Sequence, residues 1–130
     1  MNKLTDASVF SKTHHIGFEK AVTKPGVEKL VMRLIQDIGR PLSHNGIIVG
    51  HIKVLAKLSN EEFIFLSLTR LDRVDVKFSA QWTTDLASEF NSINLDINVL
   101  VFGYSRAVIA ELVDASLAVL RREGICEDGC

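Results

Sequence analysis

The chain has 130 residues, 47% of them hydrophobic and 24% charged, which are the proportions of one ordinary folded domain and exclude wholesale disorder. Fifteen basic residues against sixteen acidic ones leave a net charge of −1, which argues against a general nucleic-acid binder but leaves room for a local basic patch. No apolar run approaches the roughly 20 residues of a membrane-spanning helix. Residues 1–12, with Lys3, Asp6 and Lys12 scattered through them, lack the apolar stretch of a signal peptide, so the expected setting is the cytoplasm, away from any membrane.

Residues 1–24 read as an N-terminal arm, either a strand or a segment exchanged with a partner. Ile16, Phe18 and Val22 keep a period of two that Lys20 breaks. Pro25 then opens a helix with φ already fixed, behind Thr23 or Lys24 at the cap. Val27, Leu30, Val31, Leu34, Ile35 and Ile38 form one apolar stripe, and Gly39 followed by Pro41 is a stop signal, so the helix is expected over 25–38. Ser43-His44-Asn45-Gly46 is turn chemistry.

Three strands follow, over 47–58, 62–71 and 74–82, with linkers short enough to make antiparallel hairpins. Residues 83–92, with Thr84 and Asp85 ahead of Leu86, Ala87 and Phe90, read as a short helix. Residues 93–102 read as a fourth strand. A last helix starts at Ser105, a competent N-cap, and ends at Gly124. The expected fold is α+β, a two-layer sandwich: a mainly antiparallel four-stranded sheet with two amphipathic helices on one face. Residues 25–124 form the single domain, and 125–130 are a tail.

The strand alternation assigns faces. A two- or four-residue turn at Asp72-Arg73 sets Phe63 opposite Trp82, Phe65 opposite Ala80 and Ser67 opposite Phe78, which turns these residues toward the helices together with Ile52, Val54 and Ala56. The other face then carries Leu55, Ile64, Leu66 and Leu68 in the middle, rimmed by His51, Lys53, Lys57, Asp75, Lys77 and Gln81, with Asn94, Asp96 and Asn98 beyond. An apolar centre on an outer face marks an interface, and a homodimer built through Leu55, Ile64, Leu66 and Leu68 is the expected partner arrangement. The alternative is an enzyme or ligand-binding protein holding an unknown small molecule at the dimer seam, in a polar pocket of His51, Lys53, Lys77 and Gln81.

No motif specifies a reaction or a cofactor. His14 and His15 are adjacent and would point to opposite faces of a strand, while His44 and His51 match no metal-ligand spacing. Cys126 and Cys130 are not a C-x-x-C pair and have acidic neighbours, which raise thiol pKa. Gly103-Tyr104-Ser105-Arg106 joins a strand to a helix, so Ser105 and Arg106 are a candidate anion site at a helix N-terminus.

Overall fold

The structure, a computed structural model, describes residues 6–126, with side chains through Arg122. In chain order it contains β1 (Ala7–Thr23), α1 (Lys24–Leu42), β2 (Ser43–His44), β3 (Ile47–Lys57), β4 (Phe63–Arg70), β5 (Arg73–Phe78), a 3-10 turn (Ala80–Thr83), β6 (Glu89–Phe102) and α2 (Arg106–Cys126). The main path of the sheet is β1-β6-β3-β4-β5, antiparallel throughout, and β2 pairs with the start of β3. Both helices pack on one face. The α+β two-layer class is the expected one, with six strands instead of four.

The helix-covered face is built from alternate residues. Ile52, Val54 and Ala56 of β3 pair with Leu68, Leu66 and Ile64 of β4, and with Val99, Ile97 and Leu95 of β6. All nine are buried, in one cluster with Val27, Val31, Leu34, Ile35 and Ile38 of α1 and Ile109, Val113 and Leu117 of α2. Ile64, Leu66 and Leu68 are therefore core residues, not outer-face ones. The hairpin register explains the reversal. Arg70 pairs with Arg73, an irregularity at Thr69 follows, and Leu66 then meets Val76. That register differs by an odd number of residues from the expected one, and an odd slip moves every side chain of a strand to the other face.

α1 runs past both expected stop signals. Gly39 is buried, and a Cβ there would collide with the Leu68 side chain, so this glycine allows the helix to lie close to the sheet. Pro41 falls in the last turn, which ends at Ser43, whose hydroxyl and backbone N–H both donate to the Arg40 carbonyl.

Residues 83–92 do not form a helix. The 3-10 turn at Ala80–Thr83 sends Trp82 under α1, where its Nε1–H donates to Glu28 (2.8 Å), and β6 already begins at Glu89. Lys24 fixes this arrangement. Its side chain is fully buried, and its ammonium donates to the carbonyls of Gln81 (3.0 Å) and Thr84 (2.7 Å) and pairs with Glu62 (2.8 Å). Three acceptors satisfy the three N–H donors of an ammonium, the condition for burying one. Hydrogen bonds from Lys24 and from the Ser59 hydroxyl hold the Glu62 carboxyl below its ordinary pKa.

β1 is an edge strand, and α2 covers its inner side. Lys12 reaches Asp114 on that helix (2.7 Å), while His14 Nε2 is buried with no hydrogen-bond partner among the described residues. Burial, then the charges of Lys12 and Arg121, hold the His14 pKa below its usual value, against a raising influence from Asp114 and with a smaller lowering one from His15. The unfolded chain therefore takes up this proton first. Its contribution to stability is complete above about pH 6.5 and is lost as pH falls through the lower folded value. Urea midpoints should drop between neutral pH and about pH 5.5, and His14→Gln should flatten that part of the profile. An unchanged slope in the variant would assign the drop to other groups.

Candidate functional site

The face of the sheet away from the helices has no covering element among the described residues. Antiparallel pairing places directly opposed side chains on the same side, so the register maps this face row by row. One row runs Val9, Leu100, His51, and the next runs Ser11, Asn98, Lys53, Ser67, Asp75. The third runs Thr13, Asp96, Leu55, Phe65, Lys77, and the fourth His15, Asn94, Lys57, Phe63. His51, Lys53 and Lys77 thus share a face, with Leu55 beside Phe65.

Gln81 does not join them. β5 stops at Phe78, because Ser79 turns back onto Phe63: its backbone N–H donates to the Phe63 carbonyl and its hydroxyl accepts from the Phe63 N–H. Gln81 then sits in the 3-10 turn with its carbonyl on Lys24. Leu55 and Leu66, expected together on this face, lie on opposite faces of the sheet.

The most exposed apolar part of the open face is a corner. Val9, Ile47 and Val49 are 58%, 51% and 47% exposed, the largest values among the large hydrophobic strand residues of this face. Val9 is opposite Leu100 and Ala7 opposite Phe102, while Gly50 pairs with Val101, which sets Val49 beside Phe102. The Gly50 backbone, at φ +131°, lies so close to β6 that a Cβ would overlap the Leu100 carbonyl oxygen. This close approach holds the corner together. The sequence reading missed it because Ile47 and Val49 precede the regular part of β3, where a bulge separates Ile47 from Ile52 in the pairing with β4.

Polar side chains elsewhere on the face are partly engaged with one another. The hydroxyls of Ser11 and Thr13 donate to Asn98 Oδ1 (2.6 Å) and Asp96 Oδ1 (2.9 Å), and His15 Nδ1 lies 2.7 Å from Asn94 Oδ1. Asp75 pairs with Arg73 (3.6 Å) and Arg70 with Asp72 (3.3 Å). By contrast Lys53, Lys57 and Lys77 have no ion-pair partner among the described residues.

The expected anion site at Ser105 and Arg106 is a self-capped helix end. Ser105 Oγ accepts from the Val108 N–H (3.2 Å) and the Ser105 carbonyl accepts from Ile109. The preceding Tyr104 hydroxyl donates to the Pro41 carbonyl and lies 3.4 Å from His44 Nε2, tying the strand end to α1. His14 and His15 do point to opposite faces, and no group of three or more His, Cys, Asp or Glu among the described residues is placed to hold a metal ion. Cys130 and the Cys126 side chain lie outside the described residues. No described helix is long and apolar enough to cross a membrane.

No family model matches the sequence, and no curated protein does. Among solved structures, a Zn(II)-bound triple mutant of YjiA GTPase aligns with a TM-score of 0.37 at 11% identity. Zn(II)-bound YjiA GTPase from E. coli aligns at 0.35, also at 11% identity. Each alignment covers 87% of this chain, which spans 30% of the GTPase chain. The open face is accordingly read from its own residues.

Proposed function

We propose that this is a binding and assembly domain, two copies of which associate through the open face of the sheet, with contacts centred on the corner of Val9, Ile47, Val49, Leu100 and Phe102. The exposure of Val9, Ile47 and Val49 on one uncovered corner carries the reading. Covering about 300 Å² of apolar area per chain at ~25 cal/mol per Å² gives ~7 kcal/mol per chain, or ~15 kcal/mol for a pair. Association itself costs about 4–15 kcal/mol, so a dimer held by this corner is favourable but not permanent.

The sheet edges are poorer routes to assembly. β1 carries Lys12 and His14 on its inner side and a register shift between Gly17 and Val22, whereas β5 is six residues long with Arg73, Asp75 and Lys77 along it. Inward charges, bulges and short charged strands are the features that block edge-to-edge pairing.

Light scattering behind size exclusion tests the reading. The native chain should run with the mass of a dimer, and Val49→Asp, at an exposed strand position, should run as a monomer with an unchanged circular dichroism spectrum. A native chain that stays monomeric at high concentration, or a Val49→Asp variant that keeps the dimer mass, would overturn it.

A further inference from the structure

Beyond the apolar corner, the opposite half of the open face carries a separate pattern. β4 presents Phe63, Phe65 and Ser67 outward in a line, each half-buried. A lysine stands directly opposite every one of them: Lys57 opposite Phe63, Lys77 opposite Phe65 and Lys53 opposite Ser67. The three lysines come from both flanking strands, so cations bound the two rings on either side. As noted, none of the three is in an ion pair among the described residues, whereas Lys12, Lys24, Arg40, Arg70 and Arg73 all are. Among the described residues the ammonium lying over an aromatic ring is that of Lys24, on Phe90; Phe63 and Phe65 carry none.

We propose that this half of the face binds single-stranded nucleic acid, with bases on the Phe63 and Phe65 rings and phosphates on Lys53, Lys57 and Lys77. A flat aromatic surface beside uncommitted cations suits a ligand that alternates planar π-systems with negative charge, and a single strand has that chemistry. Residues two apart on a strand are separated by about 6.6 Å, roughly twice the 3.4 Å rise of stacked bases, so each ring takes its own unstacked base. A duplex keeps its bases inside the stack and could use only the lysines. The net charge of −1 is compatible with this, because the cations are local and the neighbouring Asp75 is held by Arg73. The site shares no residue with the association corner and does not depend on it.

Fluorescence anisotropy with labelled U-rich RNA and T-rich DNA of about eight nucleotides, and a duplex of similar length, tests the proposal. At least one single strand should bind more tightly than the duplex, and the RNA and DNA arms identify which. Raising salt from about 50 to about 200 mM should weaken binding roughly twentyfold, as three phosphate contacts with a slope near −2 require. Phe65→Ala should cost about tenfold or more, and Lys77→Glu, at an exposed site that cannot disturb the core, should cost at least as much. Val49→Asp should bind as the native chain does. The proposal is overturned if no single strand binds at about 100 µM protein, if the duplex binds equally well, or if Phe65→Ala binds unchanged. Loss of binding in the folded Val49→Asp variant would overturn the independence of the two surfaces. None of these readouts depends on oligomer mass, so failure here is distinct from failure of the dimer.

Discussion

Replacing Gly50 with alanine should lower the free energy of unfolding by about 4 kcal/mol. Two costs combine. At φ +131° an L-residue is strained by about 1–3 kcal/mol, and the added methyl overlaps the Leu100 carbonyl oxygen, which belongs to backbone and cannot rotate away. Relief requires β3 and β6 to separate at the point where Gly50 pairs with Val101 and His51 with Leu100. Against a typical total of about 5–15 kcal/mol, that loss is a large part of the stability of the fold. Gly46 provides the control, because it also has positive φ (+80°) but an added Cβ there would meet nothing within 4 Å. Gly46→Ala should therefore cost only about 1 kcal/mol. Urea denaturation of both variants checks the pair, and equal midpoints would show that the close approach of the two strands contributes nothing.

Lys24→Met is the second large effect, about 3 kcal/mol. Methionine keeps most of the length and apolar stem but removes the three donors, which leaves the Gln81 and Thr84 carbonyls without their charged partner. A hydrogen bond from a charged donor is worth about 1.5–3 kcal/mol. Since the Gln81 carbonyl keeps its bonds from the Thr84 N–H and hydroxyl, the loss falls mainly on the Thr84 carbonyl and the Glu62 carboxylate. Glu62→Gln should be milder, since the ammonium keeps both carbonyls and the Glu62 side chain is partly exposed to water. The chain's one tryptophan, Trp82, lies in the turn that Lys24 secures, so its fluorescence follows the loss directly. A Lys24→Met variant with the native urea midpoint would contradict this account.

The two long helices were legible because each buries a single stripe, and the apolar periodicity of Val27 to Ile38 admits one interpretation. β4 was not. Its sequence Phe63-Ile64-Phe65-Leu66-Ser67-Leu68 is apolar on both faces, so alternation alone cannot choose between them. The choice fell to the registers with β3 and with β5, the latter including an irregularity at Thr69, that no residue type announces. With the face reversed, Ile64, Leu66 and Leu68 became core, while Phe63 and Phe65 moved to the open side. His51, Lys53, Lys77 and Leu55 kept their places because the alternation of β3 and β5 is unambiguous. Gln81 was lost because Ser79 turns back onto Phe63 and ends β5. The turn that follows in place of the short helix is secured through the Gln81 and Thr84 carbonyls by an ammonium nearly sixty residues earlier in the chain. Long-range polar contacts of this kind leave no periodic trace.

The sheet order also sets a sequence of events during synthesis. β3, β4 and β5 are consecutive hairpins and can pair as soon as they emerge, whereas β1 has its one neighbour in β6, joined through pairs such as Ala7 with Phe102 and His15 with Asn94. At about 5–20 residues per second, the stretch between the end of β1 and the end of β6 takes on the order of 4–16 s to appear. Through that interval the first strand to be made waits for the last, with Val9, Phe10, Ile16 and Phe18 unpaired. The longest strand of the finished sheet is thus the one most open to capture by chaperones or by other nascent copies.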